Sequence, residues 1–127
     1  MTTTVKRVLL VEDDRFLRRA CEASLQQRGF DVRTATDGEE GLALATSQPF
    51  DIILLDLLMP KKPGIEVLAA LKSNAPTARI PVLILSNSSR EEDKRRAVEL
   101  GADGYYVKAN LSLKALGDEV ARLAGRA

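Results

Sequence analysis

The chain has 127 residues, 45% of them hydrophobic, which suits one domain around a single core and leaves no room for a second. Its 19 Lys and Arg against 18 Asp and Glu give a net charge of +1, so no basic excess argues for nucleic-acid binding. No apolar run reaches membrane-spanning length, and Met1-Thr2-Thr3-Thr4-Val5-Lys6-Arg7 lacks the apolar core of a signal peptide, so a cytoplasmic protein without membrane contact is expected.

Five short apolar runs follow one another along the chain: Val8–Val11, Val32–Ala35, Ile52–Leu55, Val82–Leu85 and Tyr105–Val107. Each is separated from the next by a segment long enough for a helix, which makes a βα repeat of five units. In the first helix Leu17, Cys21 and Leu25 recur at four-residue spacing, so Cys21 reads as a small buried residue. Asp14 is the expected N-cap of this helix, and Gly29 its stop. The second run, Asp31-Val32-Arg33-Thr34, mixes polar and apolar positions and is expected at a sheet edge. Asp37 with Glu40 forms a capping box for the second helix, and Leu68 and Leu71 mark the third. The fourth helix is charge-rich from Arg90 to Arg96, with Ser86, Asn87, Ser88 and Ser89 as competing caps, and Gly101 ends it. Leu113, Leu116, Val120 and Leu123 define the last helix, directly before the final residues Gly125-Arg126-Ala127. Right-handed crossovers turn this alternation into an α/β, doubly wound (βα)5 fold: a five-stranded parallel sheet of order 2-1-3-4-5, flavodoxin-like.

In such a sheet the carboxyl ends of all strands face one way, so the residues just after each run converge. They are Glu12, Asp13 and Asp14 after the first run, Asp56 after the third, Ser86 after the fourth and Lys108 after the fifth. Carboxylates about 4 Å apart repel by roughly 4 kcal/mol per pair at an effective dielectric near 20, so the cluster calls for a cation or a raised pKa. A hard divalent ion such as Mg²⁺ meets that need and leaves coordination positions for phosphate oxygens. The absence of histidine removes the commonest general base and any phosphohistidine on this chain, leaving carboxylates, hydroxyls, lysine and metal. Singly, each residue has a plainer role. Asp56 can satisfy turn amides, the acidic loop can favour the first helix through its dipole, Lys108 can be solvated, and Tyr105 can pack against an edge.

Taken together, Val11-Glu12-Asp13-Asp14, Asp56-Leu57-Leu58-Met59-Pro60, Leu85-Ser86, Gly101-Ala102-Asp103-Gly104-Tyr105 and Val107-Lys108 resemble the receiver domain of two-component response regulators over essentially the whole chain. The resemblance implies one receiver domain spanning 1–127, with an ordered core of about 6–124. It implies that Asp56 accepts a phosphoryl group from the phosphohistidine of a sensor histidine kinase or phosphotransfer protein. Mg²⁺ would be held by Asp13, by Glu12 mainly through water, by Asp56 and by the backbone carbonyl of Leu58. Lys108 and Ser86 would contact phosphoryl oxygens. Ser86 would then draw inward, Tyr105 would rotate from exposed to buried, and a downstream partner would read the changed surface of the fourth helix, fifth strand and fifth helix.

The chain departs from the family pattern in places. Pro63-Gly64 stands where Asp-Gly is frequent, and Asn87 replaces a small residue beside the phosphoryl pocket. Ala109 replaces the usual proline after Lys108. A cis bond before a non-proline residue costs about 2.5 to 4 kcal/mol, so Lys108–Ala109 is expected to be trans. Leu58 and Ser88 stand where faster regulators place side chains that orient water, which implies a long-lived phosphoaspartate. Three other functions compete with this one. A flavodoxin-like cofactor binder would want a Ser/Thr/Gly-rich phosphate loop where this chain has Glu12-Asp13-Asp14, whose charge would repel that phosphate. A haloacid dehalogenase-like phosphatase would want a second acid at Leu58, and a receiver acting only as a docking surface would not need the intact acid, hydroxyl and lysine set. Phe16, Leu17 and Ala20 are candidates for a kinase-docking face, although Leu17 also suits the core.

Overall fold

Three central strands are continuous runs of β-branched and leucine side chains, buried on both faces. The computed structural model describes residues 5–59 and 61–125; Pro60 of the Asp56 motif and the terminal residues 1–4 and 126–127 lie outside the described residues. The strands are β1 (Arg7–Val11), β2 (Asp31–Ala35), β3 (Ile52–Asp56), β4 (Val82–Ser86) and β5 (Gly104–Val107), all parallel, in the order β2-β1-β3-β4-β5. The helices are α1 (Arg15–Gln27), α2 (Gly38–Ser47), α3 (Gly64–Ser73), α4 (Ala75–Ala78), α5 (Glu91–Glu99) and α6 (Leu113–Ala124). The expected sheet order stands, and β2 with its polar positions lies at an edge.

The strand period of two sorts the core into two layers. Leu9, Val11, Ile53, Leu55, Val82 and Ile84 face one side with Ala45, Val67, Leu68, Leu71 and Ala97 of α2, α3 and α5. Val8, Leu10, Ile52, Leu54, Leu83 and Leu85 face the other with Cys21 and Leu25 of α1 and Leu116, Val120 and Leu123 of α6. Each such leucine or isoleucine removed from water stabilises the fold by about 1.5–3 kcal/mol. The helix boundaries follow local chemistry. Asp14 caps α1 by accepting from the N–H groups of Phe16 and Leu17, and Asp37 caps α2 by accepting from Glu40 N at 2.8 Å. Glu40 returns a bond to the Thr36 N–H at 2.9 Å, one residue outside the usual capping box.

Three sequence expectations are corrected. Ala75–Ala78 forms a short helix of its own, so the expected fourth and fifth helices are α5 and α6. None of Ser86 to Ser89 is the N-cap of α5; Arg90 is, without a side-chain cap. Leu113 is 38% exposed because it opens α6, and Gly117 and Ala124 complete its buried face instead.

Sheet register is what assembles the strand ends. Val11 lies opposite both Ala35 and Leu55, so Glu12 emerges beside Asp56. Asp56 pairs with Leu85, and Ser86 with Val107, so Ser86 and Lys108 follow in the same row.

Candidate functional site

A carboxylate on the last residue of a central strand is desolvated by its neighbours on both sides. Asp56 is 2% exposed. One of its oxygens, Oδ1, accepts from the Leu58 N–H at 3.2 Å, and the other, Oδ2, accepts from Lys108 Nζ at 3.0 Å. Burial pushes its pKa above the ordinary aspartate value, and the Lys108 contact opposes only part of that rise. Glu12 is fully buried, and burial first, with the Asp56 charge adding, pushes its carboxyl up to about 7 against the opposing Lys108 contact. Its Oε2 accepts from the Asp14 N–H at 3.0 Å. Its Oε1 meets Lys108 Nζ at 2.8 Å as an ion pair but outside hydrogen-bond geometry, so this buried oxygen has no donor aligned on it.

Lys108 therefore bridges two buried acids. Burial pulls its ammonium down, yet the Glu12 and Asp56 carboxylates outweigh that and leave it raised. It heads a single 3-10 turn, Lys108–Asn110, and among the described residues no peptide bond is cis, Lys108–Ala109 included. The lysine thus reaches the acids from the trans conformation expected before alanine. Asp13 is exposed, and one oxygen each from Glu12, Asp13 and Asp56 lie within 4.8 Å of one another.

Ser86 is wholly buried at the end of β4, and its Oγ accepts from the Ser88 N–H at 3.0 Å. A cleft of about 180 Å³ opens beside it, walled by Leu57, Leu58, Pro63 and Ile65 on the β3–α3 side. Leu58 itself is 66% exposed. Tyr105 is half-buried rather than exposed, and its hydroxyl donates to the Ser88 carbonyl at 2.9 Å. Phe16, 86% exposed, and Ala20, also exposed, lie on α1 next to the acidic loop, whereas Leu17 packs partly against the core. Burial pushes the Cys21 thiol up to about 11, so it is an inert core group.

Two further residues support the site, Arg18, which sequence reasoning missed, and Gly64, whose packing role it did not foresee. Arg18 donates from one guanidinium nitrogen to the backbone carbonyls of Glu12 at 3.0 Å and Asp13 at 3.2 Å, clamping the acidic loop. Helical side chains lean toward the N-terminus, so an arginine one turn into a helix after an acidic loop is the pattern that reveals it. Gly64 is the second. A Cβ there would lie 2.0 Å from the Asp56 carbonyl oxygen, because α3 starts hard against the end of β3, and the Gly64 N–H donates to the Leu57 carbonyl at 2.8 Å. Pro63-Gly64 thus keeps the essential glycine of the more frequent Asp-Gly pair.

The arrangement offers acids able to hold a hard cation, a buried carboxylate and an ammonium that balances part of the negative charge. Comparison with known proteins bears on the family. The chain is 42% identical over 117 residues to a gliding motility regulatory protein of Myxococcus xanthus, covering 92% of this chain but 15% of that protein. It is 39% identical to the transcriptional regulatory protein QseB of Haemophilus influenzae over 80% of this chain and 45% of that one. The chain therefore spans less than half the length of these relatives. Among solved structures, the phosphorylated cyanobacterial phytochrome response regulator RcpA superposes with a TM-score of 0.86 at 34% identity, covering 98% of this chain and 97% of that one. The profile of the response regulator receiver domain matches residues 8–120, and with fold and relatives in agreement the chain belongs to the response regulator receiver family of two-component signalling.

Proposed function

We propose that Asp56 is the phosphoryl acceptor of this receiver and that a sensor histidine kinase or histidine phosphotransfer protein is the donor. One observation carries the reading: Asp56 Oδ2 and the buried Glu12 Oε1 share the single ammonium of Lys108, at 3.0 and 2.8 Å. That balance leaves negative charge in excess and suits a site completed by a cation and a phosphoryl group.

The residues fit Mg²⁺, since the donor set is all hard oxygen and includes a buried carboxylate oxygen with no aligned donor. Glu12, Asp13, Asp56 and the backbone carbonyl of Leu58 would hold the ion, which supplies positive charge against the phosphoryl oxygens. An oxygen of Asp56 attacks phosphorus, the bond from phosphorus to the donor's imidazole nitrogen breaks, and the electron pair leaves with that nitrogen. Lys108 moves from neutralising the Asp56 carboxylate to contacting a phosphoryl oxygen, and the Ser86 hydroxyl donates to another. Positioning and charge are the protein's whole contribution, so the chain turns over no separate substrate.

The consequence is a switch rather than a product. Ser86 drawn toward the phosphoryl group alters the surroundings of Tyr105, and the face formed by α5, β5 and α6 is the surface a downstream protein would read. The receiver acts as one unit over 1–127, with a core of about 6–124. RcpA, a structural relative, is known in a phosphorylated form. Incubation with a small phosphodonor and Mg²⁺ tests the site: wild type takes up label and Asp56→Ala does not. Equal labelling of both proteins removes Asp56 as acceptor.

A further inference from the structure

Ser88, in the loop between β4 and α5, is bonded in three directions at once. Its N–H donates to Ser86 Oγ at 3.0 Å, and its carbonyl accepts from the Tyr105 hydroxyl at 2.9 Å. Its own hydroxyl donates to Asp93 Oδ2 and accepts from the Arg90 N–H at 3.2 Å. Because Arg90 has no side-chain cap of its own, Ser88 and Asp93 together terminate α5, in a capping arrangement displaced two residues outward.

A cap needs only the helix it closes, yet this one also joins the last residue of β4 to a side chain of β5. A serine hydroxyl accepts on its lone pairs while donating its proton, so Ser86 can keep the Ser88 N–H while its own hydrogen turns elsewhere. Displacement of Ser86 then pulls on Ser88. With its hydroxyl held by Asp93, Ser88 moves as one piece with the first turn of α5 and carries the acceptor of the Tyr105 hydroxyl with it. With that bond gone, the loop absorbs the displacement by a local turn of its backbone.

We infer that Asp93 is a positioning residue of the switch: by holding the Ser88 hydroxyl, it couples the state of the Asp56 site to Tyr105 and to α5. This rests on the reading of Asp56 as phosphoryl acceptor. Among the described residues, the ion pair within 4 Å of Asp93 is with Arg90, whose Nε lies at 3.9 Å on a side chain 69% exposed, a pairing that contributes little, while Arg96 lines the same cleft. The hydrogen bond to Ser88 is therefore the contact that matters.

Tyr105 reports on the coupling directly, since the chain has no tryptophan and two tyrosines. In a Tyr106→Phe background, beryllofluoride with Mg²⁺ is titrated as the phosphoryl mimic into the parent, Asp93→Ala, Asp93→Asn and Ser88→Ala, and tyrosine emission is followed to saturation. The parent and Asp93→Asn, whose amide oxygen still accepts from Ser88, are expected to give equal amplitudes. Asp93→Ala and Ser88→Ala should still bind beryllofluoride, with an amplitude at least about twofold smaller, a coupling loss. Full amplitude in Asp93→Ala overturns the inference. So does an Asp93→Asn protein as silent as Asp93→Ala, because charge at the helix start would then be the cause. A parent that binds beryllofluoride with no change in emission also overturns it, leaving the Asp56 assignment standing. A parent that fails to bind overturns that assignment and the inference with it.

Discussion

Replacing Gly64 by alanine tests how the acceptor is held. The added Cβ would lie 2.0 Å from the Asp56 carbonyl oxygen, 2.6 Å from Leu57 Cα and 2.9 Å from the Asp56 carbonyl carbon. All three are backbone atoms, so no rotamer change relieves the contact, and ordinary separation of at least 3.4 Å requires a movement of about 1.4 Å. A shift of that size opens the join between β3 and α3 and takes the Asp56 carboxylate away from Lys108, now at 3.0 Å. Overpacking against rigid backbone costs about 3 kcal/mol, which at a urea m-value of about 2 kcal/mol/M lowers the unfolding midpoint by about 1.5 M. Gly29→Ala is the control: its φ of +93° strains any side chain, but nothing lies within 4 Å, so the cost is about 1 kcal/mol. Urea unfolding followed by circular dichroism, with labelling rates from acetyl phosphate and Mg²⁺, measures both effects. Equal midpoints for the two variants, or wild-type labelling of Gly64→Ala, would refute the reasoning.

Two further predictions concern charge and lifetime. Glu12 has a folded pKa of about 7, above the ordinary 4.5, so its contribution to stability is full below about pH 4.5 and is lost as pH rises through 7. In chelator, wild type should lose at most about 3 kcal/mol from this group between pH 5 and 8, and Glu12→Gln should flatten that part of the profile; identical profiles for the two proteins would refute it. The phosphoaspartate should decay slowly, because Leu58 is apolar and exposed and the Ser88 hydroxyl is engaged with Asp93, so neither orients water. Loss of label within seconds in Mg²⁺ would sink that expectation.

Much of the site is legible in the chain because the residues that matter sit immediately after apolar strands. Asp56 and Lys108 are found that way, and the sheet brings them to 3.0 Å although 52 positions separate them. What escapes is whatever depends on atoms remote in sequence. The short helix Ala75–Ala78 contains Pro76 and reads as loop, yet the Thr77 hydroxyl bonds the Leu71 carbonyl at 2.6 Å, and Lys72 Nζ donates to the carbonyls of Ala78 at 3.2 Å and Ile80 at 2.7 Å. The resemblance implies an exposed Tyr105, and nothing local shows that a loop carbonyl 17 positions away accepts its hydroxyl.

From composition, period and turn chemistry alone came the alternation of five strands and their crossover helices, the edge position of β2, the caps Asp14 and Asp37, and the row of acids, hydroxyl and ammonium. These depend on burial and hydrogen bonding within a few neighbouring residues. Only the tertiary structure decided that Lys108 is shared between Glu12 and Asp56, that Gly64 must lack a side chain, and that Ser88 joins Ser86, Tyr105 and Asp93. Those outcomes turn on sheet register and on ångström-scale approaches between distant segments, where a difference of about 1 Å separates a contact from a clash.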